Sequence, residues 1–127
     1  MTPRARILVI EDNPLVREVL RLELTEAGHA VEAVPDGAAG IDAAQTDPPD
    51  AVVLDLKLPG MDGKACLRLL KERHPGLPVF VFTVYGDFAQ RVDLPEADGC
   101  FVKSANLSPL LEALGRVAVR SRNATGR

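Results

Sequence analysis

Apolar positions along the chain fall into two alternating kinds of segment. Short runs rich in Val, Ile and Phe cover residues 7–10, 30–34, 51–54, 79–82 and 100–102. Most are near-continuous rather than alternating, the signature of parallel strands covered on both faces. Between them the apolar spacing turns helical. Asn13 and Pro14 make a cap-plus-proline start, Val16, Val19, Leu20 and Leu24 form an inward stripe, and Gly28 closes the helix. Asp36 caps an Ala-rich helix reaching Ala44, and the helix over 64–73 turns Leu67 and Leu70 inward. Ser108 and Pro109 repeat the capped start, followed by Leu110, Leu114 and Val117. Residues 87–92 predict only a short fourth helix, because Pro95 blocks a longer one. From Ser121 the chain turns polar, which predicts a body over 1–120 and a frayed tail, or the start of a linker, over 121–127.

Five β-α units with right-handed crossovers give a doubly wound α/β fold, a (βα)5 three-layer sandwich around a parallel sheet. The expected strand order is 2-1-3-4-5, with a topological switch point between the first and third strands. A site should form there, at the carboxyl ends of the strands.

Composition narrows the function classes. Of 127 residues, 46% are apolar and 26% charged, the balance of one ordinary globular domain. Lys and Arg total 15 against 18 Asp and Glu, a net charge of −3, so direct nucleic-acid binding is not expected. No apolar run approaches the roughly 20 residues that span a bilayer, and no secretory signal is recognisable at the start of the chain. These features predict a cytoplasmic location without membrane contact. Cys66 and Cys100 are too few and too far apart for a zinc motif and read as free, at least half-buried thiols. His29 and His74 lack a second ligand at metal spacing and read as structural or surface residues.

The predicted topology converts scattered acids into a cluster. The first strand ends in Glu11-Asp12 and the third in Asp55, so three carboxylates meet at one sheet edge. A lone acid there would only cap the next helix. Three together repel one another and need a cation. A small set of hard oxygen ligands suits Mg²⁺. The fourth strand ends in Thr83 and the fifth in Lys103, adding a hydroxyl and an ammonium suited to a dianionic phosphoryl group. Asp55, central in the sheet, is the natural nucleophile, since a carboxylate can accept phosphoryl as an acyl phosphate.

The segments 9–13, 49–55, 58–63, 78–83 and 99–103 stand in the order of a known pattern, and with them the chain resembles a response-regulator receiver domain of bacterial two-component signalling. The resemblance covers residues 5–120 and implies a flavodoxin-like fold. It implies that Asp55 is the phosphoacceptor, that Asp12 binds Mg²⁺ directly and Glu11 through water, and that the backbone carbonyl of Lys57 adds a ligand. It further implies that Thr83 swings its hydroxyl toward the phosphoryl group and that Lys103 pairs with Asp55 before transfer and with the phosphoryl oxygens after it. The implied donor is a sensor histidine kinase or phosphotransfer protein, with small acyl phosphates as substitutes. The implied output face, and a route to a dimer, is formed by the fourth helix, fifth strand and last helix. Such a protein carries phosphotransfer on itself and is not a turnover enzyme.

Departures from the family pattern cluster on the output side. The switch aromatic three residues before the lysine is replaced by Cys100, and strand alternation turns Phe101 to the other face. Val84 stands where a small residue usually follows the threonine, and its branched side chain narrows the path to the site. Ser104 replaces the usual cis proline, so a trans bond is expected. The interval from Thr83 to Cys100 is shorter than usual. Tyr85 stands nearby as a gate or interface residue, and Lys57 and Tyr85 occupy positions that tune dephosphorylation. The alternative is a phosphorylation-independent interaction module that keeps the acidic pocket. A Mg²⁺-dependent phosphohydrolase fits less well, because Lys57 stands where such enzymes carry a second acid. Output is expected to pass to a downstream protein or to an output domain outside this sequence.

Overall fold

Near-continuous apolar strands leave no solvated face, so each strand must be covered twice. The computed structural model, which describes residues 4–83, 94–104 and 106–125, shows how. The elements are β1 (Arg6–Ile10), α1 (Pro14–Glu26), β2 (Ala30–Val34), α2 (Gly37–Thr46), β3 (Ala51–Leu54), α3 (Gly63–Arg73), β4 (Val79–Thr83), β5 (Gly99–Val102) and α4 (Ser108–Thr125). All strand pairs are parallel, in the order β2-β1-β3-β4-β5. The predicted doubly wound sheet and its switch point are present. The short helix expected over 87–92 lies outside the described residues, as do Val84 and Tyr85.

Alternate strand residues feed two cores. Ile7, Val9, Val53, Phe80 and Phe82 pack with Leu20 and Leu24 of α1 and Leu110, Leu114 and Val117 of α4. Leu8, Ile10, Val52, Leu54, Val79 and Val81 pack on the other face with Ile41 of α2 and Leu67 and Leu70 of α3. Full burial of each large aliphatic side chain is worth roughly 1.5–3 kcal/mol, so two such layers hold the central strands rigidly. Phe101 packs into the first core and Cys100 into the second, the opposite faces expected from alternation. No helix among the described residues is long and apolar enough to cross a membrane.

Helix starts follow the local chemistry in three cases. The side chains of Asn13, Asp36 and Asp62 accept backbone N–H groups at the starts of α1, α2 and α3. The last helix differs from expectation. Its first residue is Ser108, and the Asn106 carboxamide accepts the Ser108 N–H, so Asn106 rather than Ser108 supplies the capping side chain. Nor does that helix stop at Ser121. It runs to Thr125, through a stretch with no proline or glycine to break it. Val19 is a second correction: it is 43% exposed rather than part of the core stripe. At about 100° per residue, Val16, Leu20 and Leu24 share one face, while Leu15, Val19 and Leu22 share its neighbour.

Candidate functional site

Parallel strands put all their carboxyl ends on one edge, and the ladder fixes the residues just beyond it. Ile10 is in register with Leu54, and the Asp55 N–H donates to the Ile10 carbonyl at 3.0 Å. The Glu11 N–H donates to the Val34 carbonyl at 3.0 Å, and the Lys103 N–H to the Thr83 carbonyl at 2.7 Å. Each chemical residue therefore extends the sheet by one hydrogen bond and inherits the rigidity of the strand below.

The loop after β3 is shaped by two glycines. Gly60 adopts φ +76°, a left-handed turn that side chains disfavour. At Gly63 the backbone of Leu56 comes so close that any Cβ would collide with its carbonyl, and the Gly63 N–H donates to that carbonyl at 3.1 Å. Leu56, Leu58 and Met61 pack partly buried on the second core. The loop is thus folded back on itself, with the Lys57 N–H donating to Asp55 Oδ1 at 3.1 Å.

The predicted side chains converge. Lys103 Nζ lies 3.0 Å from Asp55 Oδ2 and 2.8 Å from Glu11 Oε1. Glu11, Asp55 and Thr83 are all buried, at 1%, 4% and 1% exposure, while Asp12 is open to solvent. Carboxylate oxygens of Glu11, Asp12 and Asp55 lie within 4.8 Å of one another. One ammonium therefore meets two carboxyl groups, with a third beside them. Burial pushes the Glu11 carboxyl up, against the pull of Lys103 and of the Asn13 N–H, and the Asp55 charge adds to the rise, to about 7. Burial alone would lower the Lys103 ammonium, but its bonds to Glu11 and Asp55 and their charges together hold it above the ordinary lysine value.

The donor set fits a hard divalent cation. Its three groups are oxygens, one side is exposed, and Glu11 Oε1 has the Lys103 ion pair at 2.8 Å and no other partner among the described residues. Such a buried oxygen has lone-pair capacity left for a water on a metal.

Other residues fall into place more quietly. Burial pushes the Cys66 thiol up to about 11, and Cys100 is half-buried, the burial expected for both. His29 is buried and His74 caps the end of α3. The Lys103–Ser104 bond is trans, as is every peptide bond among the described residues. One residue at the site was missed by sequence reasoning. Arg17 Nη1 donates to the carbonyls of Glu11 at 2.9 Å and Asp12 at 3.4 Å. Its only signal was a basic residue in the second turn of the helix that follows the acid pair.

Known proteins resemble this chain in sequence and fold. The family profile of the response regulator receiver domain matches residues 7–115. Response regulator MprA of Mycolicibacterium vanbaalenii is 41% identical over 87 residues, covering 68% of this chain and 38% of that protein. Transcriptional regulatory protein TcrA of Mycobacterium tuberculosis is 41% identical over 117 residues, covering 87% of this chain and 46% of its own length. The chain thus spans less than half the length of these curated relatives. Among solved structures, response regulator TrrA of Thermotoga maritima, crystallised with Mg²⁺ and beryllofluoride, superposes with a TM-score of 0.83 at 28% identity, over 88% of this chain and 97% of that one.

Proposed function

The chain belongs to the response-regulator receiver domain family, and from that membership we propose that Asp55 accepts a phosphoryl group from a histidine kinase or phosphotransfer protein of a two-component system. The observation that carries this reading is a buried Asp55 carboxylate, 3.0 Å from Lys103, with Glu11 and Asp12 beside it.

Asp12 and Asp55 would hold Mg²⁺ directly and Glu11 through water, with the Lys57 carbonyl on the rim. When bound, the ion neutralises charge on the transferring phosphoryl oxygens. The chain's own residues do the rest. An Asp55 oxygen attacks phosphorus, the P–N bond of the phosphohistidine breaks, and its electron pair leaves with the imidazole. Lys103 holds Asp55 in place beforehand and pairs with the phosphoryl oxygens afterward. Thr83, at the end of the adjacent strand, offers its hydroxyl to the new dianion. Small acyl phosphates would serve as alternative donors through the same attack.

The donor has an obvious landing surface. Leu15, Val19 and Leu22 are 74%, 43% and 52% exposed and line one face of α1, whose start lies beside Asp12. An apolar stripe of this kind suits a partner helix.

Phosphorylation adds about −1.5 to −2 charges and three acceptor oxygens. It biases a balance between two packings of the β4–β5–α4 side. Inverting a 1:99 balance requires roughly 5.5 kcal/mol of differential interaction, within reach of a desolvated dianion paired with Lys103 and Thr83. Phe101 packs against Phe80 at a ring separation of 6.1 Å, on the face opposite Cys100, so the change proceeds without an aromatic rotating at position 100. The altered face then addresses a downstream protein or an output domain of a longer chain.

Beryllofluoride with Mg²⁺ tests the proposal. Amide signals of Asp55, Thr83 and Lys103 should shift in the wild type and stay still in Asp55→Ala. Equal shifts in both proteins, or none in either, would remove Asp55 as the acceptor.

A further inference from the structure

The three acids are held by different means. Glu11 is clamped on every side: its N–H by Val34, one carboxylate oxygen by the Asn13 N–H at 3.1 Å, the other by Lys103. Asp55 is fixed by Ile10, Lys57 and Lys103. Asp12 is exposed, beyond the last ladder bond of β1 and before the first turn of α1. Its direction is set by the peptides on either side of it. The carbonyls of those two peptides belong to Glu11 and Asp12, and both accept from the single guanidinium nitrogen Nη1 of Arg17.

We propose that Arg17 is a positioning residue for the divalent-cation site, holding the Glu11–Asp12 backbone so that the Asp12 carboxylate faces Asp55. This rests on the phosphoacceptor reading above. It also carries a sign that separates it from simpler roles. Arg17 brings a positive charge toward an acidic cluster. Acting through charge alone, it would oppose a cation, and its removal would tighten binding. Acting through the two carbonyls, its removal frees the acid loop and weakens binding, as loss of groups that orient metal ligands does, by about 10- to 100-fold.

The neighbouring cation supplies a control. Arg21 lies one turn further along α1, exposed and paired with Glu18, and its side-chain bonds go to that residue. Arg21→Met removes the same charge without touching the carbonyls. Arg17→Met keeps an unbranched aliphatic stem without the guanidinium, and Arg17→Lys keeps a donor.

The test is a Mg²⁺ titration of the full chain, followed by calorimetry and by the amide shifts of Asp12 and Asp55, with urea midpoints measured without metal. The expected result is a loss of about tenfold or more in Mg²⁺ affinity for Arg17→Met, partial recovery in Arg17→Lys and at most a small tightening in Arg21→Met. Unchanged or tighter binding in Arg17→Met overturns the proposal, and so does a lower urea midpoint with unchanged affinity. Should Arg17→Met fail to fold, Arg17→Gln, too short to reach both carbonyls, decides: affinity equal to wild type overturns the assignment. Failure of the wild type to bind Mg²⁺ overturns the metal reading itself, an outcome distinct from failure of the variants.

Discussion

Two lysine–carboxylate contacts sit at opposite edges of the same sheet. At the amino edge, Lys71 Nζ meets Asp98 Oδ2 at 2.9 Å and the Leu77 carbonyl at 2.9 Å. The same Asp98 oxygen accepts the Val79 N–H at 2.8 Å, and the Asp98 N–H donates to the Val79 carbonyl. One carboxylate there meets one ammonium and one backbone donor, and the charge closes. At the carboxyl edge, Lys103 meets Asp55 and Glu11, and Asp12 stands within 4.8 Å of both. There the charge does not close, and Glu11 and Asp55 are nearly inaccessible to screening water. A balanced pair ties α3 to the start of β5. An unbalanced one is held in place by the fold and waits for a cation and an anion. The surplus of carboxylate, rather than the presence of a salt bridge, separates chemistry from structure.

The contrast can be broken in graded steps. The largest effect should come from Mg²⁺. A ligand present at about a hundred times its dissociation constant stabilises by about 2.7 kcal/mol, so the denaturation midpoint of the wild type should rise with Mg²⁺. Asp12→Ala should lose that gain, while Asp98→Asn should keep it in full. Equal gains in all three would place the metal elsewhere.

The next effects are of opposite sign. Asp98→Asn removes the partner of Lys71 and should destabilise by about 1–2 kcal/mol in urea unfolding without metal. Asp55→Asn keeps the shape, relieves repulsion among the acids and should stabilise by up to about 1 kcal/mol under the same conditions. Two losses of similar size would mean that the carboxyl edge is charge-balanced after all.

The smallest effect concerns a buried titratable group away from the site. His29 is 4% exposed, and burial, with the nearby Arg4 charge, lowers its pKa below the ordinary 6.5. The unfolded chain then takes up the proton first as pH falls. Stability contributed by neutral His29 is complete above pH 6.5 and declines below it. His29→Gln should flatten that part of the stability profile, and an unchanged slope in the variant would exclude His29 as its source.

Much of this was legible in the sequence for a physical reason. Strands buried on both faces must be apolar throughout, so the runs ending at Ile10, Leu54, Thr83 and Val102 announced themselves. Once they were parallel, Glu11, Asp12, Asp55, Thr83 and Lys103 had to share an edge. What stayed hidden depends on reach rather than period. Arg17 returns to carbonyls five and six positions behind it, and Asp98 meets Lys71 across a sequence gap of 27. Val19 lies one residue from the core face, a distance that apolar character alone cannot resolve. The end of α4 at Thr125 was hidden because polar residues are compatible with both helix and coil.

The central claim is that the unbalanced edge accepts a phosphoryl group. Intact-mass spectrometry after incubation with acetyl phosphate tests it most directly, comparing the wild type with and without Mg²⁺ and with Asp55→Asn. The account predicts one added phosphoryl group in the wild type, dependent on Mg²⁺, and none in Asp55→Asn. No mass gain in the wild type, or the same gain in the variant, would contradict it.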